Sequence, residues 1–446
     1  MKERAPKTVT FWFLFWPLLI EQFFQLLLGN VDIFMLSHYS DESVSAVGLA
    51  NQLLVVASLI FGFVSIGTSV ILVQLQAGQK LKQASLVTNH AFVLNSISGI
   101  LISIVFVLFG ENLLRMMQAP VSIMEEGKIY LAIVGGSIVL QALMATLGAV
   151  FRSFNFVKEV MYISVFINIL NIIGNYLVLM TSLPLPVEGV EGVAYVTVIS
   201  RVVGTGVFIW LFLRRFKGKL PWVNPFLIKK ETTLSILKLG IPSAGEHVSY
   251  NLSQTVITGM IALMGTVVLT TKIYTQTISG FVFIISFAIA QTTQLLVGRL
   301  IGEDKKEVGL NLSIKIMIRT LIISFSLSFI IYGAASFIVP IFTDNLDILS
   351  LTTTLLFFSI FLEPARATNV VLIGSLNAAG DVRFPVIIGI LSMWVICVPL
   401  SYVVGVYYGF GLVGIWLVFI LDEWLRAFLL LWRWKSRSWM KIVLRV

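Results

Sequence analysis

Runs of mostly apolar residues, each long enough to cross a hydrocarbon layer, follow one another along the whole chain with short polar connections between them. A spanning helix needs about 20 such residues. Inside a bilayer the backbone must satisfy its own N–H and C=O groups, so a continuous apolar run of that length folds as a helix. Twelve runs are marked, at about 9–36, 44–77, 84–110, 128–151, 159–181, 189–213, 234–263, 268–300, 310–339, 347–376, 384–406 and 411–433. Charged residues make up 12% of the 446 positions, about half the share of a soluble domain, and the mean hydropathy is +0.96. An all-α polytopic membrane protein is predicted, with twelve transmembrane helices.

The loops set the orientation. With the N-terminus inside, Lys80, Lys82, Arg152, Lys158, Arg214, Arg215, Lys305 and Lys306 lie in inner segments, as do the basic residues of both termini. The outer segments hold only Arg115 and Lys128. This bias predicts both termini in the cytoplasm. It also accounts for the net charge of +9 without nucleic acid, because the cations are spread over short loops rather than gathered in a phosphate-binding patch. The start "MKERAPKTVTFWFLFW" lacks a small-residue cleavage site and reads as a retained first span. Cys397 is the single cysteine, which rules out an intrachain disulfide and a cysteine-rich metal site.

The two halves of the sequence align with each other. "WPLLIEQ" meets "IPSAGEH", pairing Pro17 with Pro242 and Glu21 with Glu246. "GTSVILVQLQAG" from Gly67 meets "QTTQLLVGRLIG" from Gln291, "GNYLV" from Gly174 meets "LSYVV", and "GVEGVAYV" from Gly189 meets "GLVGIWLV". Four blocks in one order imply a duplication. The predicted plan is two pseudo-symmetric six-helix bundles around a central cleft: residues 1–213, a cytoplasmic linker 214–233, a second bundle 234–433 and a basic cytoplasmic tail 434–446. Parallel repeats of this kind suit a transporter that rocks about a fixed site.

Function must then reside in polar groups at membrane depth, where a charge costs a few kcal/mol and therefore faces a cavity or a partner. Six carboxylates qualify: Glu21, Asp32, Glu246, Glu363, Asp422 and Glu423. Glu21, Gln25 and Asp32 fall on one stripe of the first span, with the two carboxylates about 16 Å apart along the axis, hence in separate sites. Asn168, Asn171 and Asn175 share a face of the fifth span, where amides either coordinate a cation or a neutral carboxyl, or join helices. Asp32 is a candidate for binding and releasing a coupling cation. Glu21 and Glu246 are candidates for the same role or for a cationic substrate, with Gln25 beside Glu21. Glu363 and Arg366 at i, i+3 read as a structural ion pair, and Asp422, Glu423 and Arg426 as another near the inner end of the last span. His38 and His90 read as structural residues near membrane edges; His247, beside Glu246, is a proton-relay candidate.

The twelve-span duplicated plan, "VDIFMLS" followed by "SAVGLANQ", and "GSLNAAGDVRFP" resemble the multidrug and toxic compound extrusion (MATE) family, in its bacterial NorM-like branch, over essentially the whole chain. The resemblance implies export of organic cations such as dyes and fluoroquinolone-like drugs, driven by inward sodium or proton movement, by a monomer in the bacterial inner membrane. It implies no cofactor beyond that transported H+ or Na+. The family's essential aspartate of the first span matches Asp32, a possible Na+ ligand. Polar residues around it match Asn171, Asn175 and Thr197, and a glutamate of the seventh span in some members matches Glu246. Two positions depart from the family pattern: Asn175 stands where aspartate is frequent, and Arg366 where sodium-exchanging members often carry aspartate. Both remove charge from a metal site and favour proton coupling. A flippase for lipid-linked oligosaccharide or polysaccharide precursors, of the same superfamily, is the alternative, kept open by Arg201, Lys272 and Arg366. An intramembrane enzyme lacks a nucleophile–base pair, a paired-aspartate motif or a metal cluster in the sequence.

Overall fold

The computed structural model describes residues 10–37, 39–181, 187–217, 220–221 and 229–442, without the side chains of 26–30, 32 and 33. The chain forms two compact units, with the boundary along the sequence between Ile241 and Pro242.

The first unit begins with α1 (Phe11–Ser37), α2 (Asp41–Ala77) and α3 (Leu81–Met116). Ser40 caps α2: its Oγ accepts from the N–H groups of Glu42 and Ser43 at 3.2 and 3.3 Å, and Asp41 and Glu42 sit where the helix dipole favours a negative charge. The next span is broken. α4 (Val121–Tyr130) passes through a π-helical turn at Leu131–Gly135 into α5 (Ile138–Ser153), with a bend of 44° at the Gly135–Gly136 pair. α6 (Val157–Met180) and α7 (Gly189–Phe216) complete the set. α1 packs on α6, α6 on α7, and α2 on both α3 and α5. The core is apolar, built around Ala50, Phe61, Leu131, Val134 and Ile138. Ile97, Ile100, Leu101, Ile104 and Leu108 are exposed along one face of α3, the inverse of a soluble helix and the signature of a lipid-facing surface.

α8 (Lys230–Ala262) starts in the first unit and continues into the second. α9 (Thr266–Gly302), α10 (Lys306–Gly333), the short α11 (Ala335–Ile338) and α12 (Leu346–Ala378) follow. Then come α13 (Arg383–Leu391), α14 (Val398–Leu400) and α15 (Gly411–Lys435). π-helical turns at Ser392–Cys397 and Ser401–Tyr407 flank α14, where Pro399 withdraws a backbone donor. α12 packs against α9, α10 and α15, around Leu355, Leu362, Ile415 and Trp416.

Among the described residues, eight helices are long and apolar enough to cross a membrane, or nine with the bent α4–α5 pair counted as one. α1, α8 and α15, of 27, 33 and 25 residues, have the length as well. In α15 the apolar run is interrupted by Asp422, Glu423, Arg426, Arg433 and Lys435. Together these elements make the twelve crossings read from the sequence, and the fold is all-α. The repeat reappears in the elements themselves: α2 and α9 are both 37 residues long, and α1 and α8 each carry an internal proline, Pro17 and Pro242. The halves part company at the fourth span, broken in the first unit and continuous as α12 in the second.

The connection between the halves runs from the end of α7 to Lys230, and its residues 218–219 and 222–228 lie outside the described residues, as does His38. His90 pins its far end. Its Nδ1 meets the Leu86 carbonyl at 2.8 Å, and its Nε2 accepts from the Lys229 N–H at 2.7 Å. The tail also folds back: Trp439 is buried and stacks on Trp434 with ring centroids 4.2 Å apart.

Candidate functional site

Polar groups gather in two places, one in each unit. In the first, Asn168, Asn171 and Asn175 are all buried on α6. Asn175 Nδ2 donates to Asn171 Oδ1 at 3.1 Å, Asn171 Nδ2 to Thr197 Oγ1 on α7 at 3.4 Å, and Thr197 Oγ1 to the Val193 carbonyl at 3.0 Å. This relay exists because the two helices approach closely at Gly174, where a Cβ would come within 2.5 Å of the Val196 side chain. α6 also packs on α1. Asp32 lies in the last two turns of α1, and Asn175 in the last two turns of α6. The two helices are an even number of crossings apart and run in the same direction, so both positions belong to the same end of the unit. The Asp32 side chain is outside the described residues.

Glu21 has a partner that its stripe does not name. Arg152, at the end of α5, donates from Nη1 to Glu21 Oε1 at 3.0 Å. Glu21 is buried, so the pair neutralises a carboxylate that would otherwise be costly there. Glu21, a candidate from the sequence for a cation or a cationic substrate, thus has its charge matched inside its own unit. Gln25, expected on the same inward stripe, is exposed. Arg152, counted from the sequence as a loop cation, is a partner.

In the second unit the two ion pairs read from the sequence are one network. Arg366 Nη1 lies 3.0 Å from Glu363 Oε1 and its Nε 3.7 Å from Glu423 Oε1. Arg426 Nη2 contacts Asp422 at 2.8 Å and Glu423 at 2.7 Å. Asn369 Nδ2 donates to Glu423 Oε2 at 2.6 Å, and Ser392 Oγ donates to Asp422 Oδ1. Three carboxylates and two guanidiniums leave one formal negative charge. The packing of α12 on α15 produces this fusion, and it places Asp422, Glu423 and Arg426 in the middle of α15, not near its inner end. Asn369 and Ser392 had no signal in the sequence, being single polar residues in apolar runs.

Glu246 packs against α13, where a Cβ at Gly389 would sit 3.1 Å from its Oε1, and it lies within electrostatic reach of Arg426. Among the described residues it has no ion-pair partner. His247 is exposed, and its carbonyl accepts from Asn251 Nδ2 at 2.8 Å. The "GDVRFP" turn is a structural clasp. Asp381 binds Arg433 Nε at 2.7 Å, and the guanidinium lies over the Phe384 ring, 5.0 Å from its centroid.

A sequence model of the MatE family matches residues 17–177 and 242–403, one match in each half, beginning at the two aligned prolines. The chain belongs to the MatE family. Its members are transporters, not enzymes. The chain is 40% identical over 441 residues to the uncharacterised transporter YisQ of Bacillus subtilis (strain 168), covering 99% of this chain and 97% of that one. It is 26% identical over 442 residues to a probable multidrug resistance protein NorM of Thermotoga maritima, covering 95% of this chain and 91% of that one. The outward-facing structure of a multidrug resistance MATE family transporter of the MOP superfamily superimposes with a TM-score of 0.88 at 20% identity, covering 99% of this chain and 100% of that one. At that identity the likeness is one of fold.

Proposed function

We propose that this MatE transporter exports amphipathic organic cations in exchange for inward protons, by alternating access, across a bacterial inner membrane with both termini in the cytoplasm. The observation that carries the reading is the unequal use of polar groups by the two units. In the second unit the buried carboxylates of α12 and α15 are held by Arg366 and Arg426, and a metal cation would have to compete with two fixed guanidiniums. In the first unit the α6–α7 relay is neutral, made of amides and a hydroxyl, beside the helix that carries Asp32. One carboxyl among neutral groups is suited to a proton, whereas sodium needs several oxygen ligands and compensating charge. Cationic substrate and proton then compete for ionised carboxylates, and the binding of each biases the conformational equilibrium.

The test is dye efflux from vesicles under an imposed pH gradient, with and without sodium. Efflux driven by the pH gradient alone, and abolished in Asp32→Asn, is expected. Undiminished efflux by that variant, or a strict requirement for sodium, would sink the reading.

A further inference from the structure

The second unit has an open pocket of about 610 Å³ between α8 and α9, lined among others by Tyr250, Asn251, Gln254, Thr258, Lys272 and Gln276. Its volume is that of a small-molecule site. Among the described residues no carboxylate lines it, and its one charged group is Lys272, which is 3% exposed and whose Nζ donates to Thr258 Oγ1.

That arrangement is unusual for a membrane-embedded cation. An ammonium has three donors, and buried charges are ordinarily paired. Arg366 and Arg426 of the same unit follow that rule, each held by carboxylates. Lys272 has no ion-pair partner among the described residues, and the charged group acting on it is another cation, Arg366. Gln254, which lines the same pocket, has its Oε1 buried without a hydrogen-bond partner. An unmatched positive charge and an unused acceptor thus belong to one pocket lining. Gln254 lies about 15 Å along α8, and Lys272 about 11 Å along α9, from the tight turn at Met264–Gly265 that joins the two helices.

We propose that this pocket binds the anionic end of an amphiphilic substrate, a carboxylate, with Lys272 supplying the charge, Thr258 positioning the ammonium, and Gln254 accepting an N–H or O–H of the ligand. The inference rests on the export reading for the direction of transport, and it gives the carboxylate end of zwitterionic and acidic amphiphiles a place in the second unit.

The experiment uses the full chain in nanodiscs and two fluorescent probes, a xanthene dye bearing a free benzoate and the methyl ester of the same dye. In Lys272→Gln the free acid is expected to bind at least about tenfold more weakly, the loss of one charge-assisted hydrogen bond, while the ester changes less than about twofold. Lys272→Arg keeps the charge and retains binding of the acid, which separates loss of the site from loss of the fold. Equal weakening of both probes, no change in either, or no saturable binding of the acid by the native protein overturns the proposal. So does displacement of the acid by an isoprenyl pyrophosphate but not by inorganic pyrophosphate, which would assign the charge to a lipid-linked anion. Efflux of the ester from vesicles under a pH gradient is read separately: efflux without Lys272-dependent binding rejects the site alone, and binding without efflux rejects the export reading alone.

Discussion

Arg152 and Glu21, on α5 and α1, form an ion pair at 3.0 Å inside the first unit. Removing one partner strands the other charge in a buried setting, which costs about 3 kcal/mol. Arg152→Ala is therefore expected to lower the thermal midpoint of the purified protein clearly, whereas a Glu21→Gln, Arg152→Gln double variant recovers most of the loss. A Glu21→Gln protein that is fully stable yet inactive in dye efflux would show that Glu21 serves transport and not the fold.

Arg366 stands between Glu363 and Glu423, at 3.0 and 3.7 Å. Arg366→Gln leaves buried carboxylates without that guanidinium, and a small cation becomes the natural replacement. The variant is expected to gain a sodium-dependent rise in thermal midpoint, absent with choline, which the native protein lacks. Equal responses of the two proteins to sodium would contradict the role assigned to the guanidinium.

Gly174 lets α6 and α7 approach closely enough for Asn171 to reach Thr197. Gly174→Ala drives a methyl group into Val196 and is expected to destabilise by about 1–3 kcal/mol and to slow efflux. A compensating Val196→Ala is expected to restore both. Failure of the second change to rescue efflux would separate the relay from transport.

At the α3–α4 connection, Glu111 binds Lys128 at 2.9 Å and Arg115 at 2.7 Å. The hydrogen bond from Lys128 first, then that from Arg115, holds the Glu111 carboxyl below its ordinary value of 4.5. A depressed carboxylate contributes fully above its ordinary value, and the contribution is lost as pH falls through the depressed one. The α3–α4 corner is therefore expected to stay ordered at neutral pH and loosen only in strong acid, as read by a spin label at the exposed Met116. In Lys128→Gln the loosening shifts to higher pH; an unchanged profile would remove Lys128 as its cause.

The resemblance of the two halves was legible because Pro17 and Pro242, and the lengths of α2 and α9, are properties of single segments. The pair Glu363–Arg366 was legible for the same reason: three residues on a helix are one turn. Glu21 with Arg152 was not, nor was the joining of Arg366 to Glu423, since 131 positions separate the first two and helical spacing says nothing across elements. The exposure of Gln25 was not legible either, because a polar residue on a calculated stripe carries no record of which neighbour covers it.

The sequence by itself determined that the chain is a duplicated set of membrane-spanning helices, because lipid forces each apolar segment to satisfy its own backbone and so makes secondary structure a local property. Only the tertiary structure decided which buried charges are neutralised and which are left to meet a ligand. That depends on how α1 meets α5, how α12 meets α15, and how α8 and α9 leave Lys272 in the lining of a pocket. Such electrostatic pairing is settled over a few ångströms between segments far apart in the chain.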